Sequence, residues 1–187
     1  MNRQSINQVS FKRKVVLPLE KYQEANLEIL RQIIRECVEP QMLAILIEIF
    51  EDETLRTGIA KVRAHRMSCA RAPSAHHILN AARSAKMTHC GNASDAQVLY
   101  CACVLQGVMR FWMYTLGLGA FNAQEELRAM LKAFAKKIHL NESPVLAKLR
   151  LALGMGTDEE QNTPQGLHLR QAVYTSWAWA SMGVVVE

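Results

Sequence analysis

Six residues with metal-ligating side chains crowd between positions 65 and 90: His65, Cys69, His76, His77, His89 and Cys90. His65 and Cys69 stand four apart, a spacing that puts two ligands on one face of a helix. A structural zinc site pairs its ligands more tightly, as C-x2-C or H-x3-H, and matches the first pair with a second. Here the second pair would have to be drawn from His76, His77, His89 and Cys90, which show no such spacing. The expectation is therefore no metal and no cofactor, with exposed imidazoles and buried thiols. The five cysteines, Cys37, Cys69, Cys90, Cys101 and Cys103, are odd in number and lack the spacing of a disulfide framework. Free thiols fit a reducing, cytoplasmic compartment. Met1 to Ser10 is polar and has none of the apolar core of a secretory signal.

The same region concentrates charge. Residues 1–53 carry seven basic and nine acidic side chains, and residues 125–187 carry seven of each. Residues 54–124 carry eight basic side chains and one acid, Asp95, so the net charge of +5 arises in the middle of the chain. Seven of the eight are Arg56, Lys61, Arg63, Arg66, Arg71, Arg83 and Lys86, all within 56–86. Clustered cations raise the local concentration of an acidic protein or a nucleic-acid phosphate backbone. No Phe, Trp or Tyr occurs between Thr54 and Cys90, which removes base stacking from any nucleic-acid role. No helix-turn-helix, zinc-finger or RNA-recognition pattern is present. The plainer alternative is a solvated helix face.

Asp95 closes the pentapeptide Gly91-Asn92-Ala93-Ser94-Asp95, which precedes an apolar run reaching Gly107. Residues 91–107 resemble the active-site turn of papain-like and transglutaminase-like bacterial effectors, in which a Gly-Asn-Cys turn opens a buried helix. The helix dipole and its unpaired N–H groups lower a thiol's pKa there and can stabilise an oxyanion. The resemblance implies a protease, deamidase or acyl transferase delivered into a host cytoplasm, with Asp95 beside the nucleophile and a downstream histidine as base. The nucleophile position is Ala93, so the chain as written would bind without reacting. His139 and His168 are the downstream histidines, and His168 is the candidate base. Without the resemblance, Gly91-Asn92 is ordinary turn chemistry. Ser94 and Gln97 then form a capping box at a helix start, and Asp95 suits a first helical turn.

The elements that must carry these residues all read as helices. Leu19, Tyr22, Leu27, Leu30, Ile33, Ile34 and Cys37 keep helical spacing between Pro18 and Pro40. Residues 41–50 are apolar nearly all round, which places that helix centrally. Asp52 or Thr54 starts a third helix, and Ser74 caps a fourth, rich in alanine, through Met87. The fifth runs to about Leu116 and ends at Gly117 and Gly119. Asn122 with Glu125 opens a sixth, Ser143-Pro144 a seventh, and Thr163-Pro164 a last. Three residues, Val184 to Val186, are the sole strand-like run. The expectation is an all-α fold of about eight helices in one helical domain spanning 1–187, with a flexible segment 1–16 and an exposed loop 155–165. Ala96 to Phe121 is interrupted by Gln97, Gln106 and Arg110, so it reads as a core helix and no membrane span.

Together these features point to a non-catalytic helical interaction protein whose basic face engages an acidic protein or a phosphate backbone. The apolar excess in 41–50 and 98–116 adds the expectation of a larger assembly or a homo-oligomer.

Overall fold

The computed structural model describes residues 19–63, 72–88, 93–137 and 143–182. These residues form helices and no strand: α1 (Leu19–Glu36), α2 (Pro40–Glu51), α3 (Glu53–Lys61), α4 (Ala75–Thr88), α5 (Ala93–Thr115), α6 (Ala120–Lys137), α7 (Pro144–Ala152), α8 (Asp158–Gln161) and α9 (Pro164–Ser181). The fold is all-α, and eight of these nine helices follow the sequence pattern. The ninth, α8, is one turn inside the segment expected as an exposed loop. Thr157 and Glu160 close a reciprocal capping box there, and Met155 and Gln161 are buried on either side of it. A four-residue helix has no apolar period to reveal it.

Prolines and short polar side chains set most of the starts. Pro40, Pro144 and Pro164 occupy the first helical positions of α2, α7 and α9, where a missing N–H costs nothing. The Asp52, Ser143 and Thr163 side chains accept the N–H of Leu55, Leu146 and Gly166. Ser74 Oγ accepts from His77 N at 3.4 Å and meets His77 Nδ1 at 2.9 Å, capping α4.

Two starts differ from expectation. Helix α5 begins at Ala93, ahead of the anticipated Ser94 cap, and Gln97 does not face back toward Ser94. Gln97 Oε1 instead accepts the N–H of Val38 at 2.9 Å and pins the α1–α2 corner to α5. Helix α6 begins at Ala120, so Asn122 is already inside it, and Glu125 pairs with Arg128.

Helix α5 is the axis around which the rest is arranged. It packs against α4, α6, α7, α9 and α2. From Gln97 to Trp112 almost every residue is buried, which accounts for the apolar excess of that segment without a partner. Ala75, Ala81, Ala82 and Ala85 of α4 are fully buried, so small side chains let α4 approach closely. Gly107 marks the tightest crossing. A Cβ there would lie 2.7 Å from Ile78 Cγ1 of α4 and 3.2 Å from Trp177 Cζ2 of α9.

Buried polar groups tie the outer helices to this axis. Tyr100 Oη donates to Ile33 O at 3.0 Å, and Trp177 Nε1 donates to Cys103 O at 3.3 Å. Asn26 Nδ2 donates to Ala60 O at 2.8 Å, joining α1 to α3. Each such bond satisfies a group whose burial alone would cost about 1–3 kcal/mol. Among the described residues no helix is long and apolar enough to cross a membrane.

Candidate functional site

The basic stretch divides into parts with different work. Arg66 and Arg71 lie outside the described residues. Arg83 Nε reaches Glu36 Oε1 and Oε2 at 3.2 and 3.1 Å, and its Nη2 reaches Oε1 at 2.6 Å. Lys86 Nζ donates to Glu36 O at 2.8 Å and sits 4.6 Å from the centre of the Tyr100 ring. Both cations therefore bind α4 to α1. The Arg83 guanidinium bonded to Glu36 holds that carboxyl below the usual glutamate range, and the carboxylate in turn raises Arg83. Arg56 Nη1 donates to Phe50 O at 3.3 Å. Lys61 and Arg63, at the end of α3, are exposed. Three of the expected seven cations thus serve the fold, and two face solvent.

The residues named by the effector resemblance are separated along the bundle. Ala93 is exposed at the first position of α5, and Asp95 Oδ1 bonds Lys148 Nζ of α7 at 2.5 Å. His168 is exposed on α9. Two residues further on, Arg170 Nη2 donates to Gln161 O at 3.0 Å beside Gly154. Gln124 Nε2, near the start of α6, holds the Gly154 carbonyl at 3.1 Å. Because α6 follows the end of α5, this is the end at which α5 finishes. Two turns later Trp177 meets Cys103 and Gly107 nearer the middle of α5, so α9 runs antiparallel to it. His168 and Ala93 consequently belong to opposite ends of α5. His139 lies outside the described residues.

The thiols of Cys37, Cys101 and Cys103 are enclosed, whereas His76 is exposed and His77 half-buried. Burial pushes the Cys37 thiol up to about 11 and raises Cys101 and Cys103 further. Burial also lowers His76 and His77 below the usual imidazole value. Among the described residues no three His, Cys, Asp or Glu side chains lie close enough to hold a metal ion. His65, Cys69, His89 and Cys90 fall outside those residues.

A different feature gathers unspent charge. Helices α6 and α7 border a cleft of about 560 Å³. Its floor is apolar: Leu131 and Ala135 from α6, Leu146 from α7, and Met155 just beyond α7. Its rim is cationic: Arg128, Lys132 and Lys136 from α6, and Arg150 from α7. Among the described residues no acid lines it. Arg128 is engaged by Glu125, while Lys132, Lys136 and Arg150 form no ion pair among the described residues. Arg150 faces the chain that leads to α8, and its charge contributes to lowering the Glu160 carboxyl, which Thr157 holds down first.

Sequence reasoning passed over this cleft because residues 125–187 are balanced in charge. The balance conceals a local excess: Asp158, Glu159 and Glu160 sit together in α8, and Glu125 engages Arg128 while leaving Lys132 and Lys136 without an ion pair among the described residues. The available signal was the four-residue repeat Arg128, Lys132, Lys136 running beside the apolar stripe of α6. No protein-family model, curated protein or solved structure matches the chain.

Proposed function

We propose that this chain is a non-catalytic helical binding protein that engages an acidic protein surface through the α6–α7 cleft. The observation that carries the reading is the join of an apolar floor to a rim of four cations with no acid among the described lining residues. Such a rim concentrates anionic partners and orients their approach, while the floor rewards apolar contact at short range. A phosphate backbone would use the rim and leave the floor idle. Among the described residues no aromatic side chain lines the cleft to stack a base. Lys61 and Arg63 add exposed charge on α3 and extend the basic character that the sequence places in 56–86.

The test is fluorescence anisotropy with a labelled polyglutamate and, separately, a single-stranded oligonucleotide of matched charge. The reading expects polyglutamate binding that weakens with salt and drops roughly tenfold or more, about 1.4 kcal/mol, in Lys132→Glu/Lys136→Glu. Lys61→Glu/Arg63→Glu should change it little. Undetectable binding, or binding indifferent to the α6 reversal, overturns the reading. Preference for the oligonucleotide returns the phosphate backbone as the partner.

A further inference from the structure

The form of the partner can be drawn from the spacing of the rim. This step rests on the cleft reading above and goes on to the shape of the segment it receives. Arg128, Lys132 and Lys136 are four residues apart, so they form a row along α6 with a rise of about 6 Å between members and about 12 Å overall. Arg150 stands on the facing wall, with Leu131, Ala135 and Leu146 between the walls. From this arrangement we infer that the occupant is an amphipathic helix, its apolar stripe on the floor and its acidic residues flanking that stripe.

Three candidate shapes are separated by elementary requirements. A single head group, such as a fatty-acid carboxylate, would satisfy one or two cations and leave the rest of the row unmatched. An extended peptide could match the row, but its backbone N–H and C=O groups need partners. The described residues contain no strand whose edge could supply them, and the floor is made of apolar side chains. A helix satisfies its backbone internally and repeats its own acids every four residues at the same rise. A row of Glu at i, i+4 and i+8 therefore lies in register with Arg128, Lys132 and Lys136. Apolar residues at i, i+3, i+4 and i+7 on the adjoining face fit a cavity of about 560 Å³, within the range that receives several side chains.

The experiment uses the whole chain and two labelled synthetic peptides of about fifteen residues, enough for marginal helicity in water. One carries leucine at helical spacing between glutamate flanks. The other has the same composition in scrambled order, and polyglutamate serves as the charge-only probe. The inference expects the patterned peptide to bind roughly tenfold or more tightly than the scrambled one. It also expects the patterned peptide to gain helical circular dichroism on binding, and to lose affinity in both Lys132→Glu/Lys136→Glu and Arg150→Glu. All three side chains are exposed, so the variants should keep the parent's melting temperature. If polyglutamate binds at the cleft but pattern makes no difference, the helix inference fails and the acidic-partner reading stands. If no probe binds, both fall.

Discussion

Arg83 of α4 grips both carboxylate oxygens of Glu36 at the end of α1, and Lys86, one turn on, bonds the carbonyl of the same residue. One acidic residue thereby consumes two cations of the segment that most resembled a binding face. The Arg83–Glu36 contact spans 47 positions in sequence, and Lys86 lies 4.6 Å from the centre of the Tyr100 ring, whose hydroxyl bonds Ile33 O and joins α1 to the central helix.

The pair makes stability depend on acidity in a definite direction. Glu36 is held below its ordinary value near 4.5, first by its bond to Arg83. Its contribution is therefore complete above that ordinary value and is lost as pH falls through the depressed folded value. Glu36→Gln should cost about 1–2 kcal/mol at neutral pH, since solvent still screens a pair that is only half-buried. The difference between parent and variant should shrink below pH about 4.5. Urea unfolding at several pH values checks this, and a difference that stays constant into acid would contradict it.

Gly107 offers a test of the helix crossing. Gly107→Ala places a methyl against Ile78 of α4 and near Trp177 of α9, so one of these packed side chains must shift. The expected loss is about 1–3 kcal/mol, in spite of alanine's better helix propensity. Chemical denaturation followed by tryptophan fluorescence would show it, and a stabilised variant would mean that α4 and α5 are further apart.

The thiols of Cys37, Cys101 and Cys103 should resist alkylation in the folded protein at pH 7–8, because burial keeps them protonated. Mass mapping after iodoacetamide should find these three unmodified until denaturant is added. Rapid native labelling of Cys101 or Cys103 would show that the core around α5 opens.

The separation of Ala93 and His168 predicts the behaviour of an introduced nucleophile. The Ala93→Cys thiol should react with iodoacetamide within about tenfold of a free cysteine, with a midpoint lowered from the ordinary value of about 8.5 by the helix N-terminus alone and unchanged in Ala93→Cys/His168→Ala. Reactivity that collapses in Ala93→Cys/His168→Ala would place a base beside the thiol, and would restore an enzymatic reading of residues 91–107.

Helices were legible where apolar residues kept a 3–4 spacing and where proline or a short polar residue marked the start. The Ser74 and Thr163 caps and the buried alanines of α4 follow directly from local pattern. What depended on distant partners was not legible. Gln97 looked like half of a capping box because its neighbour Ser94 suits one, yet Val38, 59 positions away, takes its carboxamide oxygen. Arg83 and Lys86 looked like surface charge because Glu36 belongs to another part of the chain. The α6–α7 rim was hidden by the reverse effect, since acids nearby in sequence cancel it in the count, although among the described residues only Glu125 pairs with a rim cation.

Amide chemical-shift mapping during a polyglutamate titration tests the central claim most directly. The account predicts that the largest shifts fall on the amides of residues 128–136 and 146–155, and that 200 mM salt suppresses them. Shifts confined to Lys61, Arg63 and their neighbours, with α6 and α7 unmoved, would contradict it.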